Sequence, residues 1–320
     1  MRAEVRTALR IAIAIAIAAV VVRFVAQQWD AIRISAGALH PSWPGLLGAS
    51  ACVFAGYAVL IASWRIVLRI WCSPLSRTDA ARIWFVSSLG KYVPGKIWSI
   101  AAMAVLAKEA GASPVAATGS AIIMQLVNLA AGFAVVALAG AGDLLAAYPL
   151  IRAGAWVTVA LTIVGLLIGP AVLSWSLLAA SRVLRQPTPQ IPTITRTTVA
   201  LIFGANVVAW IAYGVGFGIF WRALLGHGGG ISLAALAVYT SSYLLGFLAL
   251  VVPGGLGVRE TALTGLLISL RLATPADAAL LAAASRIWLT VLEIIPGLAF
   301  LPGSSWRRRT PISTPDGPAA

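Results

Sequence analysis

Charged residues flank two Pro-Gly breaks in this chain. Lys91 and Lys96 lie in Gly90-Lys-Tyr-Val-Pro-Gly-Lys-Ile-Trp98, around Pro94 and Gly95. Arg259 and Glu260 end Val252-Pro-Gly-Gly-Leu-Gly-Val-Arg-Glu260, which contains Pro253, Gly254, Gly255 and Gly257. Broken helices free backbone N–H groups and present helix ends, and both attract anions. Lysine adds a point charge and arginine a bidentate fork suited to phosphate. A lipid phosphate is the natural ligand for such a set. Glu260 either holds Arg259 in place or carries a proton. The bland readings are snorkelling lysines with Tyr92 and Trp98 as interfacial aromatics, and an Arg259–Glu260 structural ion pair.

A third group lies near the end of the chain. Arg286, Thr290, Glu293 and Gly297 are spaced i, i+4, i+7 and i+11, so they share one helix face. At membrane depth that face must point inward, because charge exposed to lipid is costly. Glu293 either pairs with an arginine or couples transport to protons. Gln125 and Asn128 share a face of one apolar stretch, as do Asn206 and Tyr213 of another. Each pair either lines a cavity or makes hydrogen bonds between helices.

The elements that must position these groups follow from composition. Of 320 residues, 60% are hydrophobic and only 10% charged, far from the ~25% charge of a soluble domain. The expected class is an all-α polytopic membrane protein. The net charge of +14 lies mainly beside apolar runs, so it reads as topology signal and not as a nucleic-acid surface. Cys52 and Cys72 lie near opposite ends of one expected helix, too far apart for a disulfide. His40 and His227 are isolated, so no metal and no cofactor are expected. There is no P-loop and no Gly-x-Ser-x-Gly elbow, which argues against an enzyme.

Six stretches are long enough to cross a ~30 Å core: about 9–26, 46–72, 115–140, 151–178, 197–224 and 277–301. The regions 80–110 and 232–272 are each interrupted by Val-Pro-Gly. Each reads either as two half-helices entering and leaving by one side or as two tilted crossings. Arg2, Arg6 and Arg10, then Arg65, Arg69, Arg77 and Arg82, then Arg182, Arg185 and Arg196, then Arg307 to Arg309 mark alternate loops. By the positive-inside rule both termini are cytoplasmic, in the plasma (inner) membrane. The helices before the two breaks then run in opposite directions. Ser113-Pro114 and Thr274-Pro275 read as an N-cap followed by an N1 proline. Residues 1–302 therefore form one transmembrane domain, with an extra first helix and two inverted halves at about 46–178 and 197–301. Residues 303–320 read as a disordered cytoplasmic tail. Paired short or broken segments in two halves are the best sequence pointer to a transport site.

The stretches Gly90 to Trp98 and Pro253 to Glu260, the latter followed by an Ala/Leu-rich helix carrying Arg286, resemble the lysylphosphatidylglycerol synthase transmembrane-region family. The resemblance covers about residues 10–301. It implies a flippase-like membrane domain with inverted, broken elements, standing alone without the synthase domain. By motif, Lys91, Pro94, Gly95 and Lys96 match the first signature. Pro253, Gly254, Gly255, Gly257, Arg259 and Glu260 match the second. At family level, relatives that stand alone are associated with polyprenyl-phosphate-linked sugars in cell-envelope assembly.

The expected function is a lipid flippase or scramblase moving an anionic phospholipid or polyprenyl-phosphate-linked lipid between leaflets. The substrate-binding set is the two signatures plus Arg286. Glu260 and Glu293 are proton-coupling candidates, and Gln125, Asn128, Asn206, Tyr213 and Thr290 are cavity-lining candidates. The alternatives are a membrane-embedded lipid-modifying transferase, a partner subunit of one, or a small-solute transporter. Partners expected besides the lipid are a second copy of the chain or an envelope-biosynthesis enzyme.

Overall fold

A computed structural model describes residues 41–71, 73–92, 97–140, 195–249, 255 and 257–300, with isolated positions between 149 and 164. The expected spans 9–26 and 151–178, and the expected tail 303–320, lie outside or almost wholly outside these residues. All regular structure among the described residues is helical. In chain order the helices are α1 (Trp43–Ile70), α2 (Arg77–Ser88), α3 (Ile97–Glu109), α4 (Pro114–Ala139), α5 (Arg196–Leu225), α6 (Leu233–Leu248), α7 (Val258–Ser269) and α8 (Pro275–Ala299). A 3-10 turn, Leu89–Tyr92, extends α2.

The boundaries follow local chemistry. Ser113 caps α4 by accepting the Ala116 N–H, and Thr274 caps α8 by accepting that of Asp277; proline follows each cap. Ser42, Ser76, Thr195 and Ser232 cap α1, α2, α5 and α6 in the same way. Each satisfies one of the N–H groups that the first turn of a helix leaves without an intrahelical partner. α5 stops at Gly226, which takes φ +72° and turns its N–H back to Arg222 O.

Length separates two kinds of helix. α1, α4, α5 and α8 are apolar and have 28, 26, 30 and 25 residues, enough to cross a membrane. α2, α3, α6 and α7 have 12, 13, 16 and 12 residues. At ~1.5 Å per residue these reach only ~18–24 Å, short of the ~30 Å core. The short helices flank the two Pro-Gly breaks, and each pair packs as a hairpin.

The axis of the structure is the pairing of α1 with α5. Small residues let the backbones close. A Cβ on Gly45 would lie 2.6 Å from Ala223 Cβ, one on Gly216 3.1 Å from Ala49 O, and one on Gly56 2.6 Å from the Tyr213 ring. Rising numbers on α1 meet falling numbers on α5, so the two helices are antiparallel. Around this pair, α2 packs on α8 and α6 on α4. Small residues at a helix interface are the membrane route to tight packing, since lipid is as apolar as leucine.

Two apolar cores result. One gathers Phe217, Tyr239, Leu263, Leu267 and Leu281, and the other gathers Trp64, Leu68, Ile83, Met103 and Met124. Tyr57 and Tyr213 pack against both cores and mark the seam between them. Outside, Leu47, Leu126, Leu201, Val208, Leu245 and Ile295 are exposed. Such an apolar surface is what a hydrocarbon environment requires.

Gly218→Ala tests the backbone approach between α5 and the loop before α6. Its Cβ would meet Gly230 O at 2.5 Å, which is backbone and cannot rotate away. We expect a loss of about 1–3 kcal/mol, read as earlier thermal unfolding in detergent. Gly204→Ala on the same helix meets nothing within 4 Å. It should leave stability unchanged or raise it by up to about 1 kcal/mol.

Candidate functional site

α8 brings the charged residues of both interrupted segments together. Arg286, Thr290, Glu293 and Gly297 are all buried, as their spacing on one face requires. Glu293 pairs with Lys91 from the 3-10 turn of the first hairpin. Its Oε1 also accepts the Tyr57 hydroxyl from α1 at 2.8 Å. Arg286 Nη1 lies 3.7 Å from Glu260 Oε1, on the first turn of α7 in the second hairpin. Seven residues separate the two anchor points, which is ~10 Å along the helix. Residues flanking both breaks, Lys91 and Glu260, therefore dock on one stripe of one helix.

Of the readings open for Arg259 and Glu260, the ion pair between the two is not what forms. Consecutive helical residues point ~100° apart, so the two side chains leave α7 in different directions. Glu260 turns to Arg286 and also accepts the Gly257 N–H through Oε2 at 2.7 Å. Arg259, 4% exposed, instead lies over two tyrosine rings of α6, 5.5 Å from the Tyr239 centroid and 5.4 Å from that of Tyr243. Those distances fall within cation–π range. Among the described residues, the cation that pairs with Glu293 is a lysine, Lys91, and not an arginine.

The glycines of the second break set this geometry. Gly255 has φ +66°, and a Cβ there would sit 2.5 Å from Gly246 O. Gly257 has φ +80°. A Cβ on Gly246 would meet Arg259 Cβ at 2.8 Å. Only glycine lets the chain enter α7 this close to α6. Pro94, Gly95, Lys96, Pro253 and Gly254 lie outside the described residues.

Sequence reasoning passed over three residues of this region: Tyr57, Tyr239 and Tyr243. With Tyr213 they form an aromatic chain in which Tyr239 is buried and the other three are half-buried. Tyr57 and Tyr213 are 5.6 Å apart between centroids, Tyr213 and Trp210 6.1 Å, and Trp210 and Tyr243 5.4 Å. Tyr239 joins the chain through Tyr243, whose ring centroid is 6.4 Å away. The missed signal was position. Tyrosine in membrane proteins favours the interfaces, yet four of the six tyrosines here lie inside apolar helices.

The remaining polar residues are placed differently. Asn128 Nδ2 donates to Asn206 Oδ1 at 3.0 Å, and Asn206 Nδ2 donates to Ile202 O at 2.8 Å. The Trp210 indole donates to Asn128 O at 2.9 Å. Together they tie α4 to α5. Gln125 is exposed on α4. Thr290 is buried on α8 between the two ion pairs, and the Tyr213 hydroxyl is buried without a hydrogen-bond partner. Among the described residues no group of three His, Cys, Asp or Glu could hold a metal.

Apolar helices of spanning length, a lipid-compatible exterior and buried charge between the helices define a helical membrane protein. The chain belongs to the family described as lysylphosphatidylglycerol synthase TM region, which matches residues 11–297. That membership connects the protein to membrane lipid. No curated protein matches the chain.

The Lys91–Glu293 pair can be weighed by a double-mutant cycle. Lys91→Ala leaves a buried carboxylate without its cation. We expect about 1–3 kcal/mol of lost stability, less than for a fully buried pair, because the Lys91 side chain is 31% exposed. Adding Glu293→Gln should recover most of that loss in the same unfolding measurement. Two losses that simply add would show that the groups act independently.

Proposed function

We propose that this protein moves a lipid with an anionic headgroup between the two leaflets, without chemistry on the lipid. The observation that carries the reading is the convergence of both interrupted segments, through Lys91–Glu293 and Arg286–Glu260, on one buried face of α8. Ion pairs at membrane depth are expensive, and they occur where a membrane protein handles charge. The headgroup would exchange with the carboxylates for the cations while its tails stay in the bilayer.

Alternating access needs two related halves, and several features support an inverted repeat. The order long, short, short, long occurs in α1–α4 and again in α5–α8. The first long helices of the two halves are antiparallel. The second helix of each half packs on the last helix of the other, α2 on α8 and α6 on α4. The lengths of the short helices support re-entrant hairpins over tilted crossings. The arginine census supports cytoplasmic termini and the inner membrane as the location. The proposed set remains Lys91, Lys96, Arg259, Glu260 and Arg286 with the glycines of the two breaks, and Glu293 or Glu260 as the group that would carry a proton.

The test is movement of a fluorescent phospholipid in liposomes of phosphatidylglycerol and phosphatidylcholine. Wild-type protein should expose inner-leaflet probe to an external quencher. Lys91→Ala and Arg286→Gln should slow that exposure by at least roughly tenfold, the size expected for losing one charge-assisted contact. Undiminished movement in both variants, with each folded, would remove the ion-pair cluster from the transport path.

A further inference from the structure

α8 touches both α1 and α5, the first long helices of α1–α4 and α5–α8. The Trp288 indole donates to Ser50 Oγ of α1 at 3.0 Å, and its ring stacks on Phe220 of α5 with centroids 4.5 Å apart. Further along α8, Glu293 accepts the Tyr57 hydroxyl of α1 at 2.8 Å. Tyr213 of α5 stands beside that bond. Its ring centroid is 5.6 Å from that of Tyr57, and its edge packs against Gly56. The Tyr213 hydroxyl is buried and has no hydrogen-bond partner.

An orphan hydroxyl on tyrosine differs from one on serine or threonine. Ser63, Thr240 and Ser241 also bury hydroxyls without partners. Rotation about χ1 lets such a group bond a carbonyl of its own helix, as Ser50 does with Leu46 O and Ser242 with Tyr239 O. The tyrosine hydroxyl ends a rigid ring and cannot reach its own backbone, so its partner must come from another helix. Phenylalanine would fill the same space without leaving a hydrogen bond unmade. A buried hydroxyl that is a cost in one arrangement is accounted for by a second arrangement that gives it a partner.

We propose that Tyr57 and Tyr213 are alternative hydroxyl donors to Glu293 and act as a latch between the halves. This rests on the transport reading above and names how its site is regulated. In the described arrangement the Tyr57–Glu293 bond joins α1 of the first half to α8 of the second. When α1 separates from α8, Glu293 passes to Tyr213, which belongs to its own half and moves with it. The Trp288–Ser50 bond also joins the halves and opens with the latch, while the Trp288–Phe220 stack lies within the second half and stays. One hydroxyl replaces another on the carboxylate, so the two arrangements stay close in energy. The same separation draws Glu293 from Lys91, which belongs to the first half. A headgroup on Lys91 and a Tyr213–Glu293 bond therefore favour each other.

The experiment is a distance measurement by double electron–electron resonance on the full chain in nanodiscs of phosphatidylglycerol and phosphatidylcholine. Spin labels go on Leu47→Cys of α1 and Ile295→Cys of α8, both exposed positions, with Cys52 and Cys72 changed to alanine. With both tyrosines present we expect two distances, one of them matching the described arrangement. Tyr57→Phe removes the latch and should shift the ratio away from that distance by roughly three- to tenfold, the worth of one hydrogen bond. Tyr213→Phe removes the alternative and should shift the ratio toward it by a similar factor. Lost packing alone would not drive two Tyr→Phe changes in opposite directions. A single distance with both tyrosines present would overturn the latch, and that measurement needs no tyrosine variant to fold. An unchanged ratio in either variant, or shifts of the same sign, would overturn it too. The labels report conformation and not transport. Lipid movement in liposomes without these shifts would remove the latch alone, and opposite shifts without lipid movement would remove the transport reading alone.

Discussion

Charge on a membrane-spanning helix must find its counter-charge inside the protein, and much of this structure depends on that constraint. Arg286 and Glu293 lie on one buried face of α8. Neither can face lipid without a large penalty. Glu260 and Lys91 meet them, and each of these belongs to a hairpin too short to span. The two hairpins are thereby held to the same helix, one through the start of α7 and the other through the turn after α2. Loss of either ion pair removes a counter-charge from α8, so the docking of the hairpins and the solvation of α8 are linked.

The second constraint is the absence of a hydrophobic force between helices in lipid. α1 and α5 associate because Gly45, Gly56 and Gly216 let their backbones approach. The two apolar cores on either side of that pair are joined at a seam marked by Tyr57 and Tyr213. Tyr57 ends its hydrogen bond on Glu293, so the seam and the ion-pair stripe touch. A junction made of hydroxyls and ion pairs has discrete alternative partners, in a way that interdigitated leucines do not.

Much of this was legible in the residues. Hydropathy and caps located α1, α4, α5 and α8 to within a few positions, because a bilayer leaves a helix no alternative way to satisfy its backbone. The i, i+4, i+7 and i+11 spacing put Arg286, Thr290, Glu293 and Gly297 on one inward face, because helical periodicity is a local property. The Pro-Gly breaks announced where helices stop. The partners were not legible. Arg259 and Glu260 are neighbours in the chain and diverge on the helix, while Lys91 and Glu293 are distant in the chain and meet. Asn128 and Asn206 were open to lining a cavity or to bonding between helices, and only the packing of α4 on α5 made them each other's partner.

The sequence by itself determined that the protein is helical and membrane-embedded, which residues must be buried and where the helices break. Those outcomes depend on transfer free energy and helical period, both readable along the chain. The tertiary structure alone decided which cation each carboxylate takes and that Tyr57, Tyr213, Tyr239 and Tyr243 gather around them. It alone left the Tyr213 hydroxyl without a partner. Pairing depends on how helices cross, and crossing is set by side-chain and backbone contacts between segments far apart in sequence, which no local pattern encodes.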